Sequence, residues 1–183
     1  MIWVDYDNTL VNTIYAWIDY LNKNGKQLDI RQLQKYDCIL QYDRDFEFFK
    51  RIGYDKKTIV PFDGAKEFLE KLKEFDDVTI LSDTYELMRK TKLEHIKYFF
   101  GDNIRVKFSL GSKWKYVEKN DILIDDKFLN IYLAILNSNA HGICFNRNNE
   151  YNWCGNIIWT HQNYYLTSNY DEILNYVKNL LNN

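Results

Sequence analysis

Two aspartates one residue apart, Asp5 and Asp7, follow directly on a short apolar run, Ile2 to Val4, and lead into Asn8 and Thr9. Further on, Ser82 and Asp83 follow the largely apolar run Val78 to Leu81, and Asp125 and Asp126 follow Ile122 to Ile124. Continuous apolar runs of this length read as strands buried on both faces, and open α/β sheets carry their ligand sites at the carboxyl ends of such strands. With a period of two, Asp5 and Asp7 project to one side and Tyr6 to the other, provided strand geometry persists to Asp7. Carboxylates held that close raise each other's pKa unless a cation lies between them, and a hard ion such as Mg²⁺ suits an all-oxygen set.

These groups fit phosphoryl transfer. Asp5 can attack phosphorus as a carboxylate nucleophile, and Asp7 can protonate the leaving oxygen and then activate water. Asp5, the backbone carbonyl of Asp7 and the Asp125-Asp126 pair would hold Mg²⁺, which neutralises the phosphate. The hydroxyl of Ser82 and the ammonium of Lys115 would bind phosphate oxygens. Taken singly, Ser82 reads as a helix N-cap, Asp125-Asp126 as a solvated turn and Lys115 as an exposed lysine. Their common placement at strand ends is what favours a joint role.

The elements that must position these residues alternate along the chain. After the first of these runs, apolar residues at Val11, Ile14, Tyr15, Ile18 and Leu21 keep a helical period that stops at Asn24-Gly25, where glycine suits a C-cap. A weaker helix is expected from Ile30 to Tyr36, and a short aromatic one from Phe46 to Gly53. Beyond Pro61 and Gly64, the stripe Ala65, Phe68, Leu69, Leu72 and Phe75 marks an amphipathic helix. Strands are expected at Val78–Leu81, Ile104–Phe108, Ile122–Ile124 and Gly142–Phe145, with a short sixth at Ile157–Trp159. Helices fall at Leu87–Phe99, Phe128–Leu136 and Asp171–Leu181. Strands alternating with helices predict an α/β, Rossmann-like three-layer sandwich with a mainly parallel sheet. The expected organisation is a single domain over 1–183 with a small helical cap, 14–60, inserted after the first strand.

The 183 residues suffice for one well-buried domain, and a composition 46% hydrophobic and 27% charged is globular. A net charge of −2 leaves no basic footprint for a nucleic-acid duplex. Cys38, Cys144 and Cys154 form no Cys-x-x-Cys pair, so neither a disulfide framework nor a zinc site is indicated and a reducing compartment is expected. No charged leader precedes an apolar stretch, and no apolar run approaches the ~20 residues that span a bilayer. The expectation is a cytoplasmic protein with a small-molecule substrate and no membrane partner; a homodimer is compatible with the sequence.

The segments Asp5-Tyr6-Asp7-Asn8-Thr9, Ser82, Lys115 and Asp125-Asp126 resemble the four sequence motifs of the haloacid dehalogenase superfamily of phosphatases. Asn8 stands where glycine is common, and an acid at position 7 favours phosphate esters over carbon–halogen bonds. Within the superfamily the chain is most similar to the 5'(3')-deoxyribonucleotidases. That similarity is carried by the segment from Lys115 to Asp126, by Phe48-Phe49 ahead of Pro61 and Gly64, by Asn146-Arg147, and by Tyr170 to Leu174. The resemblance implies a Mg²⁺-dependent phosphatase of 5'-(deoxy)nucleoside monophosphates working through an aspartyl-phosphate. It implies Asp126 as the direct metal ligand of its pair, with Asp125 in support. It places Lys113 near the phosphate, where the family has an arginine, and Asp83 at the substrate. Phe48 and Phe49 would stack on the base, with Trp17, Tyr36 and Tyr54 as further candidates. The alternative substrates are a sugar phosphate, another small phosphorylated metabolite or a polynucleotide 3'-phosphate. A receiver-like phosphoacceptor or a non-catalytic binding module ranks below these, since all the motif residues are present and a receiver places its acidic pair on the first strand and its acceptor later.

Overall fold

In a computed structural model, which describes residues 1–33, 42–43, 46–155 and 159–182, the apolar runs become the strands of one sheet. Its strands are β1 (Ile2–Val4), β2 (Val78–Asp83), β3 (Arg105–Ser109), β4 (Ile122–Asp125), β5 (His141–Phe145) and β6 (Tyr164–Thr167). The order is β3-β2-β1-β4-β5-β6, and every pairing is parallel. Strands β2, β4 and β5 are buried almost throughout, as their largely apolar sequences require. The edge strand β3 alternates exposed and more buried residues instead.

Helices cover both faces of the sheet. They are α1 (Thr13–Lys23), α2 (Glu47–Arg51), α3 (Ala65–Lys73), α4 (Arg89–Phe100), α5 (Phe128–Ser138), α6 (Asn152–Gly155) and α7 (Tyr170–Leu181). Helix α3 buries Ala65, Phe68, Leu69 and Leu72 and turns its lysines and glutamates outward. Helix α7 starts where the Asn169 side chain accepts the Glu172 amide at 2.9 Å, and it buries Ile173, Leu174 and Val177. The Phe68 ring stacks on that of Tyr170, centroids 4.3 Å apart, which ties α3 to α7. Helix α5 lies so close over β5 that a Cβ on Gly142 would stand 2.9 Å from Ile135 Cδ1.

Between β1 and α3 the described residues form α1, α2 and a single 3₁₀ turn at Ile30–Gln32, and they add no strand to the sheet. Gly25 ends α1 with φ 86°, a left-handed conformation that glycine enters without a Cβ penalty. The helix expected from Ile30 to Tyr36 is this 3₁₀ turn as far as Gln32; Leu33 follows with extended backbone, and residues 34–36 lie outside the described residues. The sixth strand lies elsewhere than expected: it is Tyr164–Thr167, while Trp159 belongs to no strand and Ile157 lies outside the described residues. As an edge strand, β6 is only half-buried, so it lacks the unbroken apolar run by which the central strands are recognised.

Candidate active site

Parallel register decides which strand ends meet. Val4 lies opposite Ile80 of β2 on one side and Ile124 of β4 on the other, so Asp5 and Asp125 leave the sheet side by side. The Asp5 amide donates to the Ile124 carbonyl at 2.8 Å. One carboxylate oxygen from each of Asp5, Asp125 and Asp126 falls within 4.8 Å of the others, and all three residues are buried. Lys113 brings its ammonium into this group, 2.5 Å from Asp5 Oδ1 and 2.7 Å from Asp125 Oδ2. Asp125 also accepts from Asn130 Nδ2 at 3.0 Å and from the Lys127 amide at 2.8 Å. Asp126 is less committed. Trp153 Nε1 donates to its Oδ2 at 3.3 Å, while its Oδ1 is buried with no hydrogen-bond partner among the described residues.

Three buried carboxylates thus share one ammonium. Burial, and then the charges of Asp5 and Asp125, push the Asp126 carboxyl well above the usual carboxylate range. Burial also raises Asp5, with Asp125 and Asp7 adding to the shift and the Lys113 ammonium opposing it. Lys113 itself is held protonated above its ordinary value, because Asp125 and Asp5 outweigh the opposing effect of burial. A further cation would relieve the excess negative charge. The donor set is all oxygen, and the orphaned Asp126 Oδ1 offers a vacant lone pair, so these residues fit a hard divalent ion such as Mg²⁺.

Asp7 does not continue the strand pattern on which its placement beside Asp5 was expected. Strand β1 ends at Val4, and the amides of Leu10 and Val11 both donate to the Tyr6 carbonyl, closing a tight loop. Asn8 takes φ 61° in that loop, a left-handed conformation that asparagine tolerates better than most residues, and its Oδ1 accepts the Ile14 amide at 2.7 Å. The Asp7 carboxylate therefore has partners of its own: Thr13 Oγ1 at 2.6 Å, the Tyr54 hydroxyl at 3.1 Å, and the Lys92 ammonium in a close ion pair. Burial alone would raise Asp7, but Lys92, Thr13 and Tyr54 outweigh it and hold the carboxyl below its ordinary value.

Asp7 and Asn8 line a cavity of about 470 Å³ whose walls include Trp17, Phe46, Phe49, Tyr54 and Tyr85, with Asp83, Thr84 and Gly111 at the ends of β2 and β3. Asp83 meets this cavity, yet its Oδ1 is engaged by the Ser109 hydroxyl and by the Gly111 amide at 3.0 Å. Ser82, at the end of β2, is fully buried, and its hydroxyl has no hydrogen-bond partner among the described residues.

Two expectations need correction. Lys115 does not reach the carboxylates: it is exposed, its ammonium 5.8 Å from the Trp114 ring centroid, and Lys113 occupies the buried position. Both lie on a 3₁₀ turn, Lys113–Tyr116. With three residues per turn, lysines two apart point in different directions, so only one can face the site. Phe48 likewise is core, fully buried with its ring 5.6 Å from that of Tyr20, and it does not line the cavity. Phe49, its neighbour on α2, does, as do the further candidates Trp17 and Tyr54. Tyr36 lies outside the described residues.

No protein-family model matches the sequence, and no curated protein matches it significantly. Solved structures do match. A HAD family hydrolase from Deinococcus radiodurans, with bound phosphate and sodium, superposes with a TM-score of 0.66 at 12% identity, over 98% of this chain and 95% of that one. A haloacid dehalogenase-like hydrolase from Burkholderia xenovorans gives 0.66 at 13% identity, over 98% of this chain and 97% of its own. The HAD-hydrolase YfnB from Bacillus subtilis, bound to magnesium, gives 0.62 at 12% identity, over 96% and 97%. The fold is that of the haloacid dehalogenase-like hydrolases. At these identities the likeness establishes the fold, and the chemistry of this chain has to be argued from its own side chains.

Within this haloacid dehalogenase-like fold, several site residues escaped the sequence. Thr13, Asn130 and Trp153 carry no signal beyond being polar or aromatic. Lys92 does carry one: it lies on the stripe with His95, Ile96 and Phe100 that α4 buries, and a lysine at an apolar position of a helical period marks a buried partner. Among the described residues, no helix is long and apolar enough to cross a membrane.

Proposed function

We propose that this protein is a Mg²⁺-dependent phosphatase acting on small phosphate monoesters, with nucleoside 5'-monophosphates as the substrate class. The observation that carries the reading is the convergence of Asp5, Asp125, Asp126 and Lys113 at the mouth of the sheet, beside a cavity into which Asp7 faces.

Asp5, Asp126 and the backbone carbonyl of Asp7 would hold the ion, with Asp125 in support because its own oxygens are already taken by Lys113 and Asn130. The ion would supply charge neutralisation to the phosphate, so that an anionic carboxylate can approach a dianion. An Asp5 oxygen forms a bond to phosphorus as the ester P–O bond breaks, and the leaving oxygen takes the electron pair of that bond together with a proton that Asp7, ionised at rest beside Lys92, has first taken up from solvent. Water then attacks the aspartyl-phosphate, giving its proton back to Asp7 and releasing inorganic phosphate. Lys113 and the Ser82 hydroxyl, a buried donor with spare capacity, are suited to the phosphate oxygens. This assignment gives Lys113 the role that the sequence suggested for Lys115.

The cap expected over residues 14 to 60 chooses the leaving group in this reading. Its aromatic walls, Trp17, Phe46, Phe49 and Tyr54, support a flat leaving group such as a nucleoside. The test is phosphate release from the full set of ribo- and deoxyribonucleoside 5'- and 3'-monophosphates, beside sugar phosphates, with Mg²⁺ and with chelator. Activity confined to nucleotides and lost in chelator is expected. Preference for sugar phosphates would keep the phosphatase and remove the nucleotide, and activity that persists in chelator would remove the metal.

A further inference from the structure

Asp83 is a charged group on the cavity wall that none of the steps above uses. The register of β2 and β3 sets it opposite Ser109, and the chain beyond Ser109 turns back over it. Gly111, at φ 75°, directs its amide to Asp83 Oδ1 at 3.0 Å, and the Ser109 hydroxyl donates to the same oxygen. The Asp83 backbone carbonyl accepts from Lys92 Nζ at 2.8 Å, so the residue is held at both ends. Among the described residues, the charged side chains that line the cavity are Asp7 and Asp83, both acids. The charge of Asp7 is compensated by the Lys92 ammonium, whereas the Asp83 carboxylate takes its hydrogen bonds from neutral donors. Lys113 feels the charge of Asp83, but its own hydrogen bonds and ion pairs go to Asp5 and Asp125.

We propose that Asp83 is a specificity-determining residue whose fixed charge confines the substrate to phosphate esters with a leaving group that bears no negative charge. Nucleoside monophosphates are admitted; bisphosphates, phosphorylated carboxylic acids and polynucleotide 3'-phosphates, whose leaving groups are anionic, are turned away. The inference rests on the phosphatase reading above and narrows its substrate. Tethering the chain at Ser109 and Gly111 is the simpler account of Asp83, but an asparagine oxygen would accept the same two hydrogen bonds. What the carboxylate adds is charge. The walls around it include Trp17, Phe49, Tyr54, Met88 and Leu110, and between such weakly polarisable walls a charge acts more strongly and over a longer range than in water. Selection of one substrate over another is readily built on repulsion of the wrong one.

The experiment compares kcat/KM for 3-carbamoylphenyl phosphate and 3-carboxyphenyl phosphate, two esters of nearly equal shape whose leaving groups differ by one negative charge, in wild type and in Asp83→Asn. Repulsion between unit charges about 8 Å apart, at an effective dielectric constant of about 20, corresponds to roughly thirtyfold in rate. Wild type is therefore expected to favour the carbamoyl ester, and the carbamoyl to carboxy ratio is expected to fall at least about fivefold in the variant. A defect in the tether alone lowers both esters together and leaves the ratio where it was. Both esters are measured on one preparation, so the ratio is independent of the fraction folded, and Asp83→Ser is measured in the same way should Asp83→Asn give no soluble protein. A wild-type ratio near one, or a ratio that the variant leaves unchanged, overturns the role of Asp83. Wild-type protein that releases phosphate from neither ester and from no nucleotide overturns the phosphatase reading itself.

Discussion

Lys113 holds its ammonium 2.5 Å from Asp5 Oδ1, and both side chains are almost wholly buried. Breaking such a pair leaves a buried carboxylate without its compensating charge. Lys113→Met is expected to abolish phosphatase turnover and to weaken the fold, while Lys115→Met, at an exposed position, stays within about 0.5 kcal/mol of wild-type stability and keeps its activity. Steady-state kinetics with thermal melts on both variants check this. The reverse ranking would restore Lys115 to the site.

Phe48 and Phe49 are neighbours in sequence, but only Phe49 reaches the cavity wall. Phe48→Ala removes a fully buried ring and is expected to cost about 3 to 5 kcal/mol of stability, read by denaturant unfolding. Phe49→Ala, on the cavity wall and only partly packed against the core, is expected to cost less stability than Phe48→Ala and to lower nucleotide kcat/KM by about one to two powers of ten, from the roughly 1 to 3 kcal/mol that a base gains by stacking on an aromatic ring. Equal losses on a nucleotide and on a small alkyl phosphate would make Phe49 packing too.

Asp5 and Asp126 are both raised by burial. Between the unfolded and folded pKa of each, the folded state binds more protons than the unfolded, so stability of the metal-free protein from these two groups falls as pH rises through that interval. Their window opens near pH 4 and runs upward through the neutral range. His95 works the other way, because burial lowers it, and its contribution is lost as pH falls below about 6.5. Mg²⁺ competes with protons for the same two carboxyls, so its stabilising effect should be larger at pH 8 than at pH 5.5. At a concentration 100-fold above Kd the gain is about 2.7 kcal/mol. Melting curves with and without Mg²⁺ at the two pH values measure it. A shift equal at both, or absent from wild type and Asp126→Asn alike, would remove the carboxylates as metal ligands.

Gly142 sits on β5 with no room for a Cβ, because Ile131 and Ile135 of α5 press against it. Gly142→Ala is expected to cost about 1 to 3 kcal/mol through overpacking, with kcat unchanged in the folded fraction. A melt within 0.5 kcal/mol of wild type, by about the size of ordinary surface effects, would mean that α5 can move away from the sheet at little cost.

The central strands and the acidic residues beyond them were legible because burial on both faces writes itself as an unbroken apolar run, and the same runs locate the strand ends where Asp5, Ser82 and Asp125 emerge. Order along the chain also gave the alternation that makes the sheet parallel. Half-buried edges write no such signal, which is why β6 was placed several residues early. Direction around a turn was not legible either. Lys113 and Lys115 have the same chemistry, and Phe48 and Phe49 the same ring; only the angle at which a 3₁₀ turn or a helix meets the core selects one of each pair. Asp7 was readable as an acid beside another acid, but of its true partners only Thr13 is near in the chain; Lys92 on α4 and Tyr54 in the loop after α2 are far away in it, and only close packing of those elements at the end of β1 brings all three onto one carboxylate.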